Sequence, residues 1–170
     1  VSRGEFALTR NIPIAGDSFT NAIKSLTGGT FEEAEIAKLA MTSQSPIDQI
    51  SSTEPDNKSW RVVQPLMDEL IREIRRSIHF YQSQFPEGSA DAQVSKVVLT
   101  GGTARMPGLD AYISAKLSTP VEVAGVFKQT AIETGNVSQQ FIDEHGAVLA
   151  VCTGLALKEL IPESSAKTAA

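Results

Sequence analysis

Val97-Val98-Leu99-Thr100-Gly101-Gly102-Thr103-Ala104-Arg105-Met106-Pro107-Gly108-Leu109 is the stretch on which the reading of this chain turns. An aliphatic run leads into two glycines, and beyond them Leu109, Ile113 and Leu117 fall on one helical stripe. The order is strand, glycine turn, helix. Paired glycines adopt backbone angles denied to other residues, and with no Cβ they let a flat ligand approach the main chain. Neither common phosphate loop fits. No Lys follows Gly108, as a Walker loop requires, and the stretch lacks G-x-G-x-x-G. Taken alone, it reads as ordinary punctuation between a strand and a helix.

Working outward, Val121 and Val123 read as a second strand. Ala147 to Leu160 reads as a helix with Val148, Val151, Leu155 and Leu160 near one another. Upstream, Val63, Met67, Leu70, Ile71, Ile74, Ile78, Tyr81 and Phe85 recur every three or four residues after Trp60, which predicts the longest helix, with Asp68 and Arg72 as an i,i+4 pair. Pro65 has no amide to donate, so either the regular helix begins there or a kink separates it from Trp60. Thr30 and Glu33 form a capping box that opens a helix over residues 31–41. Phe19, Ala22, Ile23 and Leu26 predict another helix, capped by Asp17 or Ser18 and stopped by Gly28-Gly29. Phe6, Leu8, Ile12 and Ile14 share even positions and predict a strand. Residues 42–58 are rich in Ser, Thr, Gln, Asp and Pro and read as an exposed loop, and residues 162–170 as a flexible tail. Strands alternate with helices, so the fold class is α/β.

Length and composition narrow the function. A chain of 170 residues is long enough for one core, and no apolar run approaches the roughly 18 residues that span a bilayer. A net charge of −5 without a basic block gives no footprint for nucleic acid or anionic lipid. The single cysteine, Cys152, cannot form an internal disulfide and favours a reducing, cytoplasmic setting. Its neighbours Val151, Leu155 and Ala156 place it in the core. His79 on the long helix and His145 at a helix start have no ligand partner at metal spacing. Arg72, Arg75 and Arg76 are balanced by Asp68, Glu69 and Glu73, which reads as a solvated face. The opening Val1-Ser2-Arg3-Gly4 has no initiator Met, and a fragment of a longer protein is expected.

Two stretches together carry a resemblance. Gly101 to Leu109 is similar to the adenosine motif of the actin and DnaK-chaperone superfamily, in which the arginine two places after Ser/Thr lies over adenine. Arg105 would do so here, since a guanidinium stacks on an aromatic base for about 0.5–2 kcal/mol. Ala34-Glu35-Ile36-Ala37-Lys38 resembles the A-E-x-x-K helix that holds ribose and adenine. At the helical angle, Glu35, Lys38, Leu39 and Thr42 share one sector while Ile36, Ala37, Ala40 and Met41 take the other, so one face can dock while the other meets a ligand. A carboxylate accepts from ribose hydroxyls and an ammonium donates, contacts of about 1.5–3 kcal/mol when charge-assisted. An amphipathic helix with a wet polar face has the same periodicity.

Three more stretches resemble the PilM-type pilus-assembly branch. Arg10-Asn11-Ile12-Pro13-Ile14-Ala15-Gly16-Asp17-Ser18-Phe19-Thr20 looks like its "R-x-I-P-I-G-G-D-x-x-T", with Ala15 for the first glycine. Leu70 to Tyr81 is similar to "L-x-x-E-I-R-R-S-x-x-x-Y", and Ala150 to Lys158 to the closing "A-V-A-x-G-L-A-L-R". FtsA, a cell-division relative, shares the first two motifs, but residues 163–170 show no counterpart of its amphipathic C-terminal helix.

The resemblance implies the C-terminal half of an actin-like, ribonuclease H-like fold over residues 1–161, a sheet flanked by helices with a more helical subdomain inserted over 17–93. It implies ATP as cofactor, with Glu35, Lys38, Leu39, Gly101, Gly102, Thr103 and Arg105 on the adenosine side. Magnesium and the phosphates would be held by residues absent from this chain, so the fragment alone is expected neither to hydrolyse ATP nor to bind it tightly. The implied parent is a cytoplasmic scaffold of the type IV pilus platform, peripheral to the inner membrane through a PilN-like partner, with self-association left open. An FtsA-like or other actin-like ATPase, and a nucleotide-free protein-binding remnant, remain as alternatives.

Overall fold

The structure, a computed structural model, describes residues 1, 6–44, 58–106, 108–129 and 135–160. Most of the predicted loop over 42–58, the whole tail from Pro162, and Pro107 lie outside the described residues. In chain order the helices are α1 (Gly16–Thr27), α2 (Phe31–Gln44) and α3 (Lys58–Gln82), then α4 (Leu109–Leu117), α5 (Val126–Gln129), α6 (Gln139–His145) and α7 (Ala150–Leu160). Strands β1 (Val97–Leu99) and β2 (Val121–Val123) form a two-stranded parallel sheet. Its ladder includes the Val97 amide donating to Pro120 O and the Ala124 amide donating to Leu99 O, each at 2.8 Å. β1 is shorter than the predicted Val94 to Leu99, because β-branched residues make a strand only where a partner backbone takes their amides.

The chain divides into two compact units: Val1–Val97 with Met106–Glu122, and Val98–Arg105 with Val123–Ala170. The first is built on α1, α2, α3 and α4. α1 stops where predicted, because Gly28 adopts φ 70° and returns its amide to Lys24 O at 2.8 Å. That left-handed cap suits glycine. At the other end Ser18 Oγ accepts the Ala15 amide at 3.3 Å. The core takes Phe19 and Ile23 from α1, Ala34 from α2, and Leu109 and Ile113 from α4. From α3 it takes Trp60, Val63, Met67 and Ile71, a helical stripe spaced three, four and four residues apart. That packing explains why α3 runs from Lys58 through Pro65, where the sequence predicts a start or a kink. Pro65 is exposed, and the buried face on the opposite side holds the helix despite the missing amide.

α3 and α4 meet at a mixed seam. The Trp60 and Tyr112 rings pack edge to face, centroids 5.7 Å apart. Tyr112 Oη donates to Asp68 at 2.7 Å, and Lys116 Nζ lies 3.4 Å from the same carboxylate. Asp68 is thus turned toward α4 rather than toward Arg72. Arg75 donates to Lys116 O, and Glu73 pairs with Arg76.

Residues 6–14, predicted as a strand, pair with no strand among the described residues. Leu8, Ile12 and Ile14 are half-buried while Phe6 is 90% exposed, so the alternation survives without the ladder. The segment is held instead by Arg10, which donates to Glu73 at 3.0 Å and to Ser77 Oγ at 3.3 Å on α3.

The second unit buries less. α6 escapes the sequence pattern because only Phe141 and Ile142 among its seven residues are apolar. Ser138 caps it by accepting the Phe141 amide at 3.3 Å. His145, expected at a helix start, closes this helix instead, its ring stacked on Phe141 at 4.2 Å. Gly146 follows, and a Cβ there would stand 2.9 Å from Ile142 O. Of the predicted core, this stretch fails: Val148, in the turn before α7, is 43% exposed, Val151 and Leu155 on α7 are 69% and 64% exposed, and Cys152 is exposed with them. The periodicity is real, but no described element packs over this face.

Candidate functional site

The residues singled out by sequence fall into two groups, one in each unit. In the first unit the capping box sets α2: Thr30 Oγ1 accepts the Glu33 amide at 3.2 Å, and Glu33 Oε2 accepts the Thr30 amide at 2.8 Å. Gly29 leaves room for that carboxylate, since a Cβ there would lie 2.5 Å from Glu33 Oε2. So anchored, α2 directs Glu35 and Lys38 at α1.

There the side chains close a small network. Lys38 Nζ lies 2.7 Å from Glu35 Oε2 and donates to Thr20 Oγ1 at 2.8 Å and to Gly16 O at 3.4 Å. Thr20 Oγ1 lies 2.6 Å from Glu35 Oε2 and 3.1 Å from Gly16 O. A hydroxyl has one proton, and the nearer, charged acceptor takes it. Lys38 is 8% exposed and Thr20 fully buried. An unpaired ammonium buried so deeply is costly, and here a carboxylate, a hydroxyl and a carbonyl compensate it. The Lys38 hydrogen bond, and then that of Thr20, hold the Glu35 carboxyl below the usual glutamate value, against a smaller opposing effect of burial.

This arrangement corrects the expected faces of α2. Lys38 lies on the docked side with Ala34, while Ile36, expected on the other sector, is 67% exposed; Leu39 is 55% exposed, in keeping with a face open to a ligand. Periodicity treats a lysine as a solvent-facing residue; the partners that bury this one sit on α1, 18 to 22 residues away. Thr20 is the member that sequence reasoning left without a role, although it closes the stretch Arg10 to Thr20.

In the second unit the glycine turn has the predicted form. Gly101 adopts φ 92°, a conformation that excludes most side chains, and donates its amide to Ala147 O at 2.9 Å. A short 3-10 turn, Gly102–Arg105, follows. A Cβ added at Gly101 or Gly102 would meet no atom within 4 Å. Thr103 is half-buried, Ala104 buried, and Arg105 exposed.

A cleft also opens elsewhere. About 370 Å³ in volume, it belongs to the first unit and is lined by residues including Leu8, Arg10, Ile12, Ile74, Ile78 and Val97. It shares no residue with the Thr20–Glu35–Lys38 network and gathers no comparable set of charges. Among the described residues no group of three His, Cys, Asp or Glu side chains is placed to hold a metal, and no helix is long and apolar enough to cross a membrane.

Comparison with known proteins adds two findings. Residues 1–160 match the family described as type IV pilus assembly protein PilM. A solved chain of a PilM-PilN type IV pilus biogenesis complex is similar in fold, with a TM-score of 0.72 and 24% identity over 95% of this chain. This chain spans 42% of the length of that one.

Proposed function

Since this chain belongs to the PilM family of type IV pilus assembly proteins, we propose that it is part of an actin-like, nucleotide-responsive scaffold and carries the adenosine side of an ATP site. The observation that carries the reading is the family match, which spans residues 1–160.

The residues suit the group. Both bonds to Glu35 end on Oε2, which leaves Oε1 to accept ribose hydroxyls, and the lowered value of this carboxyl keeps it ionised at neutral pH. Leu39 offers exposed apolar surface one residue after Lys38. Gly101 and Gly102 leave the main chain open to a flat base beside Thr103, and the exposed Arg105 guanidinium can stack on it. Bound ATP would supply a purine, a ribose diol and a triphosphate whose magnesium is held by residues outside this chain. Lys38 fits a supporting part better than a ligand contact, because its donors are already directed at Glu35, Thr20 and Gly16. The same satisfaction of Lys38 within the protein favours a second reading, a nucleotide-free remnant that only binds proteins.

The fold likeness includes a chain solved with PilN, and the partner proposed here is a PilN-like protein that brings the scaffold to the inner membrane from the cytoplasmic side. Calorimetric titration tests the nucleotide claim. ATP and magnesium should bind the full-length parent and give no micromolar binding to residues 1–170, since metal and phosphates supply much of the grip. Micromolar binding by residues 1–170 would contradict the division of the site.

A further inference from the structure

We propose that Thr20 is a positioning residue of the nucleotide site, fixing the Glu35 carboxylate so that its Oε1 is presented to the ribose diol while Lys38 is held back from it. This inference rests on the nucleotide reading above. Thr20 is fully buried, yet its hydroxyl lies within hydrogen-bond distance of Glu35 Oε2, Lys38 Nζ and Gly16 O, at 2.6, 2.8 and 3.1 Å. From α1 it reaches both Glu35 and Lys38 of α2.

The chemistry follows from the proton count. The Thr20 hydroxyl gives its proton to Glu35 and presents its lone pairs to Lys38, so one oxygen seats both the anion and the cation. A glutamate held by its salt bridge alone keeps rotamer freedom about the ammonium. A second donor at a fixed backbone position removes that freedom before any ligand arrives, which lowers the ordering cost of binding. Without the hydroxyl, Lys38 loses an acceptor, and the remaining carboxylate oxygen becomes its nearest replacement. The ammonium and the ribose hydroxyls would then compete for Oε1. Thr20 therefore acts through Glu35 rather than by touching nucleotide.

The experiment compares ATP with 2′-deoxy-ATP on the full-length parent by calorimetry, for the native protein and for Thr20→Val, Thr20→Ser and Glu35→Ala. A general loss of fold weakens both nucleotides alike, so the ratio of the two affinities isolates the contact to the ribose. The native protein should prefer ATP by about tenfold, as expected for one charge-assisted hydrogen bond. Thr20→Val, which keeps the shape and deletes the hydroxyl, should bring the ratio close to one, and Thr20→Ser should restore it. Should Thr20→Val not fold, Thr20→Ala makes the same comparison. A native ratio in Thr20→Val, with the ratio lost in Glu35→Ala, overturns the role of Thr20 and leaves the site standing. No change in either affinity or ratio in Glu35→Ala overturns the site itself and this inference with it.

Discussion

Two helices of similar apolar character meet opposite fates in this molecule. α4 packs on α3 within its own unit and buries Leu109 and Ile113 to 3% and 2% exposure, whereas α7 leaves Val151 and Leu155 at 69% and 64%. Apolar spacing records which residues gain by leaving water. Whether they leave it depends on a facing layer, and only the first unit supplies one among the described residues. The first unit accordingly has a core of large side chains, Phe19, Ile23, Val63 and Met67 among them, while the second closes on Ala104, Ile142 and Ala147. The charged network of Glu35, Lys38 and Thr20 sits on the better-packed unit, where a buried ammonium can be held in one geometry.

The contrast can be broken most directly by truncation. Phe19→Ala should cost about 3–5 kcal/mol, and Leu155→Ala less than about 0.5 kcal/mol, in urea unfolding of residues 1–170 followed by Trp60 fluorescence. Equal costs would mean that α7 is packed as firmly as α1. Smaller effects sharpen the picture of the first unit. Burial, reinforced by the hydrogen bond to Asp68, raises Tyr112 to about 12. Since the folded value lies above the unfolded one, the contribution to stability is complete below about pH 10 and is lost as pH rises toward 12. Glu35 runs the other way. Its folded value is lowered, so its contribution is present above the ordinary glutamate value and lost as pH falls through the lowered one. Melting midpoints across pH should therefore flatten at the alkaline end in Tyr112→Phe and at the acid end in Glu35→Gln.

Much of the fold is legible in the sequence because its signals are local. The Thr30 and Glu33 box, the Gly28 cap and the stripe from Trp60 to Ile71 each form within one helix or its first turn, and each appears where its spacing predicts. What the pattern misses depends on distant partners or on too few apolar residues. Residues 6–14 alternate correctly but lack a ladder, α6 is too polar to show a period, and Pro65 is tolerated because of what the other face of α3 buries. At the candidate site the same division holds. Glu35 with Lys38, and Gly101 with Arg105, are recognisable as short motifs, but the burial of Lys38 and the part of Thr20 require α1 and α2 to be side by side.

The central claim is the proposed nucleotide role of Glu35 and of Arg105, each taken by itself. It is tested most directly by the ATP affinity of the full-length parent after Glu35→Ala and Arg105→Ala, measured separately by calorimetry with melting curves as a control. Each substitution should weaken ATP by about tenfold or more while leaving the melting midpoint nearly unchanged for Arg105→Ala, which alters an exposed side chain. Unchanged ATP affinity in both would contradict the account and favour the protein-binding remnant.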